Sequence, residues 1–288
     1  MQTFANLDAF AAARPALKGP IAIIFAEDDA ALDATLAHHA AKGFATILLM
    51  AGPAIAPTAP PPACVTRIGW TQVAPNAVID AVNRVIELAP HQWIYYGFNA
   101  EFLFYPFAET RSVAELVAFH MEERREAMLT YVIDLYAVDL TAHPDGVGLA
   151  DAHLDRAGYF ALARPDPAEP AQPLERQLNF YGGLRWRFEE HVPKDRRRID
   201  RIALFRARPG LTLREGYLMS DEEMNTYACP WHHNLTAAVC SFRAAKALRT
   251  NAGSRYSIES FHWFNSVRFD WSSEQLLNLG LIEPGQWF

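Results

Sequence analysis

The stretch Trp93–Pro106, WIYYGFNAEFLFYP, decides how the chain reads. Trp93 to Phe98 is an apolar, aromatic-rich run of strand length. It breaks at Asn99-Ala100-Glu101, and a second apolar run, Phe102 to Tyr105, leads into Pro106. Near-continuous apolar strands belong to sheets covered on both faces, and such sheets offer polar groups to ligands at the carboxyl ends of their strands. Asn99 and Glu101 are expected at that edge.

Working outward, Pro20 to Phe25 is a short apolar strand, followed by Glu27-Asp28-Asp29. Ala30 to Lys42 has apolar residues at helical spacing, with Asp28 or Asp29 as N-cap and Gly43 closing the helix. Ala45 to Met50 is a second strand, so residues 20–50 make a βαβ unit, which favours parallel strands. Pro53 to Pro62 holds five prolines in ten residues and reads as a stiff loop. Val65 to Trp70 is a strand, and Pro75 to Ala89 is an amphipathic helix leading back to Trp93. The first hundred residues therefore read β-α-β-β-α-β, the pattern of a layered α/β fold.

Ser112 to Glu126 is expected to be a helix, with a capping box from Ser112 to Glu115 and a solvated charged end. Leu129 to Leu140 reads as a long strand and residues 141–180 as loops, broken by prolines. Tyr181 to Phe188 is a turn plus a short element, Ile199 to Arg206 a strand, and Asn234 to Leu248 a helix capped by Asn234. Leu276 to Phe288 closes the chain. No linker composition separates independent domains. The expectation is one domain over residues 1–288, with 20–110 as a nucleotide-binding half and 111–288 as an acceptor or closing half.

With 288 residues, 51% of them hydrophobic, the chain can bury a substantial core. A net charge of −7 argues against nucleic-acid binding driven by overall charge. Lys194 to Arg198 is locally basic and reads as solvated surface. Cys64, Cys229 and Cys240 form no CxxC pair, so a zinc ribbon or thioredoxin site has no support, and sparse cysteine fits a reducing compartment. Neither a secretory leader nor an apolar run of membrane-spanning length is apparent, so the expected location is the cytoplasm. GxGxxG, GxSxG and HExxH are absent, which removes motif support for nicotinamide, serine-hydrolase and zincin chemistry.

Five groups carry possible chemistry. Glu27 and Asp28 follow the first strand and can cap a helix or bind a ligand. Asn99 and Glu101 offer oxygen atoms of the type hard cations and sugars accept, or form a plain turn. Tyr181-Gly182-Gly183-Leu184-Arg185-Trp186-Arg187 pairs two close-approach glycines with two arginine forks suited to phosphate or carboxylate, or forms a charged surface turn. Glu189 and Glu190 are candidate general bases, or a charged surface turn. Trp231-His232-His233-Asn234, with Lys246 further on, can receive a diphosphate or pack as an aromatic loop.

Taken together, Ala26-Glu27, His38-His39 through Gly43-Phe44, Trp93 through Phe98-Asn99-Ala100-Glu101-Phe102-Leu103, Gly182 to Arg185, and Trp231 to Asn234 resemble the family-two-like glycosyltransferases. That resemblance spans most of residues 20–250. It implies a glycosyltransferase A-type fold, a Rossmann-like mixed sheet flanked by helices. It also implies transfer of a sugar from a nucleotide-sugar to an acceptor glycan or small molecule. In the family, DxD carboxylates hold a divalent metal, manganese or magnesium, that bridges the diphosphate, and a carboxylate activates the acceptor hydroxyl. Here the two DxD positions are Phe98 and Ala100, neither a metal ligand. Glu101 and His232 are the metal candidates left. The implied assignments are Glu27 and Asp28 on the nucleotide or its sugar, Asn99 and Glu101 on the sugar or a metal, Glu189 or Glu190 as base, and Arg185, His232, His233 and Lys246 on the diphosphate. The expected dependence on metal is weak or absent. The alternative is a non-catalytic carbohydrate- or nucleotide-binding protein on the same fold.

Overall fold

The computed structural model describes residues 1–227 and 234–287. In chain order its elements begin with β1 (Gln2–Phe4), α1 (Leu7–Ala12), β2 (Ile21–Ala26), α2 (Leu32–Ala41), β3 (Thr46–Ala51) and β4 (Val65–Gly69). Next come α3 (Ala77–Leu88), β5 (Trp93–Phe98), β6 (Glu101–Phe104), α4 (Val113–Glu122), β7 (Ala127–Ala137), β8 (Ala152–Asp155), β9 (Phe160–Pro165) and β10 (Pro173–Tyr181). The rest are α5 (Leu184–Arg187), β11 (Asp200–Arg206), β12 (Leu213–Arg214), β13 (Leu218–Met219), β14 (Ala237–Ser241), α6 (Arg243–Thr250), β15 (Ser266–Arg268) and α7 (Ser273–Asn278).

Two compact units divide the chain. Unit one holds Met1–Phe102, Thr110–Met128 and Ile202–Asn225; unit two holds Leu103–Glu109, Leu129–Arg201 and Thr226–Phe288. The sequence reading drew its halves as 20–110 and 111–288. The compact units instead interleave along the chain, because two later segments return to unit one.

In unit one the strands run β1-β4-β3-β2-β5-β11. All neighbours are parallel except β11, which is antiparallel to β5. This is a mixed α/β arrangement of the Rossmann-like class, with β4-β3-β2-β5 ordered 3-2-1-4. Strands β2 and β5 are buried along their whole length, as their unbroken apolar sequences require. Helix α2 packs on β2 and β3, burying Leu32, Thr35, Leu36 and His39, one face of a 3.6-residue period. Helix α3 buries Val78, Ala81, Val82, Val85 and Ile86 in the same manner.

Helix α2 ends as its sequence demands. Gly43 takes φ +88°, its amide bonds Ala40 O at 3.0 Å, and Phe44 N reaches His39 O at 3.4 Å, a Schellman closure. Its start differs from expectation: the N-cap is Ala31 at φ 50°, and Asp28 instead accepts from Ala30 N at 3.0 Å in a turn before the helix. The Ser112–Glu115 capping box forms as read. Arg67 donates to Gly52 O and Ile55 O, pinning the start of the proline-rich loop.

Unit two pairs β7 with β14 in parallel and β7 with β8 antiparallel, and β15 extends β8. Strands β9 and β10 form a separate antiparallel pair. A cluster of Tyr136, Leu184, Ala245, Leu248, Ile258 and Phe261 forms one part of its core. Two expectations are corrected here. Residues 141–180 are not all loop, since they contain β8, β9 and most of β10. Ala237–Ser241 is a strand and not the first half of a helix, so Asn234 caps nothing and α6 starts at Arg243. All five β14 residues are buried beside β7, and this pairing overrides the helical preference of alanine. Among the described residues no helix is long and apolar enough to cross a membrane.

Candidate functional site

Every residue from Trp93 to Pro106 is buried. The polar break after β5 therefore does not face solvent, contrary to the simplest reading of an open sheet edge. Asn99 braces that edge from inside. Its Oδ1 accepts the Glu27 amide at 2.9 Å, and its Nδ2 donates to Asp28 Oδ1 at 2.6 Å and Ala30 O at 3.0 Å. The backbone joins in, with Asn99 N donating to Phe25 O at 2.9 Å. Glu27, Asp28 and Asn99, selected from separate stretches of sequence, thus meet at the carboxyl ends of β2 and β5.

That place has a topological meaning. From β2 the chain proceeds to β3 and β4 on one side, then returns to β5 on the other. In sheets of this class the carboxyl ends of the strands on either side of such a reversal are the usual ligand edge. Glu27 and Asp29 are exposed there and Asp28 is half-buried. Asn99 thus holds the loop at three points, Glu27, Asp28 and Ala30. Asp28 Oδ1 accepts from both Asn99 Nδ2 and Ala30 N.

Glu101 has another role. Fully buried, it accepts the Phe98 amide through Oε2 at 3.0 Å. Ala100 lies between Asn99 and Glu101 at φ 59°, and its amide donates to Thr35 Oγ1 at 2.9 Å, tying the break to α2. Phe98 and Ala100, the positions that the resemblance sets against DxD, are buried and apolar. Among the described residues no group of three or more His, Cys, Asp or Glu is placed to hold a metal ion. Glu101, enclosed and bonded to backbone, does not fit an ion-bridging role; His232 and His233 lie outside the described residues.

His39, part of the histidine pair the resemblance drew on, is a core residue. It stacks on Tyr95 with centroids 5.0 Å apart and donates Nδ1–H to Thr35 O at 2.8 Å. Burial pulls its pKa down to about 4, so it is neutral at pH 7.

Unit two contains Arg185, Glu189, Glu190 and Lys246. Arg185 lies against Asp134, a fully buried acid on β7. Its Nε meets Oδ1 at 3.3 Å, its amide meets Oδ2 at 3.3 Å, and Nη1 donates to Arg198 O at 3.1 Å. Burial raises the Asp134 pKa and Arg185 opposes that rise. Arg187 forks onto Asp155 at 3.1 and 3.3 Å and lies 4.5 Å from the Trp263 ring centroid. Both arginines are engaged by buried carboxylates, so a phosphate would compete with existing partners. The two glycines serve the same packing. A Cβ on Gly182 would meet Tyr159 Cδ1 at 2.3 Å, and one on Gly183 would meet Asp134 Oδ2 at 2.9 Å.

Glu189 and Glu190 open a single turn of 3-10 helix. Glu189 pairs with Arg197 at 2.8 Å, while Glu190 is well exposed beside His191 at 3.8 Å. Lys246 sits buried on α6 and presents no open cationic surface. Asp134 and Asp155 escaped the sequence reading, whereas Arg187 was read with Arg185 as a fork for phosphate or carboxylate. One signal was available: Asp134 interrupts the apolar run Tyr131-Val-Ile-Asp-Leu-Tyr136, and a buried acid requires a cationic partner.

No family model matches the chain, and comparison with curated proteins returns no match.

Proposed function

We propose that the chain is a glycosyltransferase-like protein whose nucleotide-sugar site lies at the β2–β5 edge of unit one. The observation that carries this is the convergence of Glu27, Asp28 and Asn99 at the switch point of a 3-2-1-4 sheet. In open α/β sheets nucleotides bind at the carboxyl ends of the strands where the strand order reverses. An acid after the first strand accepts from ligand hydroxyls. Asp28 is oriented for this by Asn99, and Glu27 is exposed at the same loop.

Transfer requires a leaving nucleoside diphosphate, an attacking hydroxyl and a base to take its proton. Glu189 or Glu190 is proposed as that base from the sequence alone, and His232 and His233, which lie outside the described residues, for the diphosphate. Arg185 and Lys246 are weaker choices for that task than the sequence suggests, one because it neutralises Asp134 and the other because it is buried. No step is assigned to a metal, since Glu101 is closed off.

A second reading has a specific observation behind it. Buried Phe98 and Ala100 at the DxD positions favour a protein that binds a nucleotide or carbohydrate without transferring sugar. One experiment addresses both: thermal shift and calorimetry with uridine, guanosine, cytidine, adenosine and thymidine diphosphates, with and without manganese. At least one should bind without manganese. Glu27→Gln should weaken it about tenfold, the size of one hydrogen bond to a charged group, at unchanged melting temperature. No binding by any nucleotide refutes the site. Binding without release of free sugar or transfer to supplied acceptors selects the second reading.

A further inference from the structure

On unit two, three aromatic rings from three elements form a recess, and none of the three rings has a part in the proposed chemistry. Phe160 begins β9, Tyr181 ends β10 and Trp186 lies on α5. Phe160 and Tyr181 stack with centroids 5.3 Å apart at 21°, and Trp186 meets Phe160 edge-on at 6.4 Å. Leu162 completes the wall, and Glu189 and Arg197 form the rim. Phe160 is 41%, Leu162 54% and Trp186 42% exposed, high values for side chains of this size.

We infer that this recess binds one pyranose ring of a neutral oligosaccharide. Three features select that occupant. Firstly, the volume is about 160 Å³, whereas pockets for drug-sized ligands run roughly 300–1,000 Å³; one six-membered ring is the fitting scale. Secondly, a pyranose has an apolar face of C–H bonds, whose partial positive charge suits the negative face of an aromatic ring. Thirdly, the rim is a dipolar pair of zero net charge. Arg197 Nη1 meets Glu189 Oε2 at 2.8 Å, Nη2 donates to Glu189 O at 2.6 Å and Nε donates to Val192 O at 2.9 Å, so the guanidinium is fixed in place. Neighbouring hydroxyls both donate and accept, and so satisfy a carboxylate beside a guanidinium. A phosphate or a uronic acid gains no net attraction from a pair of zero charge whose cation already bonds Glu189. The inference concerns unit two alone and does not rest on the nucleotide site.

The test is ligand-observed NMR and calorimetry on the full chain with four neutral probes: cellohexaose, maltohexaose, mannohexaose and chitohexaose. At least one should bind saturably, with magnetisation transfer to ring protons of one sugar face. Trp186→Ala should weaken that binding at least tenfold and Glu189→Gln to a smaller degree, with circular dichroism and melting temperature unchanged. Phe160→Ala serves as a second variant if Trp186→Ala does not fold. Nucleoside diphosphate binding on the same preparations should be unaffected by Trp186→Ala, which separates this outcome from failure of the proposed nucleotide site. Absence of saturable binding by all four probes overturns the inference. So does binding that survives the loss of Trp186 and of Phe160. Concentration-dependent dimerisation abolished by Trp186→Ala would also overturn it, making the recess a contact between copies of the chain.

Discussion

At the scale of single residues, His39 and His120 carry a measurable consequence. Each is held neutral inside unit one, and His120 donates Nε2–H to Ala127 O at 2.8 Å. Burial lowers both pKa values from 6.5 to about 4. Between pH 4 and 6.5 the unfolded chain therefore binds more protons than the folded one, so stability falls as pH falls through that window. Above pH 6.5 the contribution is complete. From pH 7 to pH 5 each histidine should cost of order 2 kcal/mol. Urea unfolding at the two pH values checks this: the His39→Asn, His120→Gln variant should lose distinctly less stability on acidification than the native chain. An equal loss would place the titrating groups elsewhere. Asn99 shows what the sequence conveyed at this scale and what it withheld. Its position at a strand end was legible, but its inward orientation was not, because burial depends on which loops cover the edge.

At the scale of elements, the junction from β10 through Gly182-Gly183 into α5 is a packed assembly. The glycines admit Tyr159 and Asp134 to close approach, and Arg185 neutralises Asp134. Arg185→Met should therefore destabilise the fold by about 3–5 kcal/mol, because it leaves a buried acid without its cation. Arg185→Met with Asp134→Asn should recover a large part of that loss, as read by chemical denaturation. A phosphate-binding arginine without a structural role would cost little stability in the single variant. Strands β2 to β5 and helices α2 to α4 were legible because their apolar periodicity agrees with their tertiary setting, as do the Gly43 closure of α2 and the capping box of α4. Strand β14 was not, since Ala237-Ala-Val-Cys-Ser241 has the local preference of a helix and becomes a strand only beside β7. The β9–β10 pair was missed because β9 is mostly exposed and lacks the apolar alternation that marks a half-buried strand. The aromatic recess went unread for the same reason: its rings come from separate elements, and only pairing of β9 with β10 brings Phe160 onto Tyr181.

At the scale of the whole molecule, the two compact units interleave in sequence. A fragment ending near residue 110 would lack Thr110–Met128 and Ile202–Asn225, and with them the antiparallel partner of β5. Its β5 edge would be left open and its core incomplete. Such a fragment should be insoluble or lack cooperative unfolding, as circular dichroism and thermal melts would show; a soluble, cooperatively folded fragment would mean that residues 1–110 are self-sufficient. The net charge of −7 is compatible with this picture, and the basic run near residue 195 does not offset it. Arg197 pairs with Glu189 and Arg198 with Asp200, so two of its cations are already engaged. The central claim is that a nucleotide occupies the β2–β5 edge of unit one. Amide chemical-shift mapping on the isotope-labelled chain, titrated with the nucleoside diphosphate that binds best, tests it most directly. The account predicts saturable shifts concentrated at Glu27 to Ala30 and at Asn99, including its side-chain amide, and their loss in Asn99→Ala. Shifts confined to other parts of the chain, or none at saturating nucleotide, would contradict it.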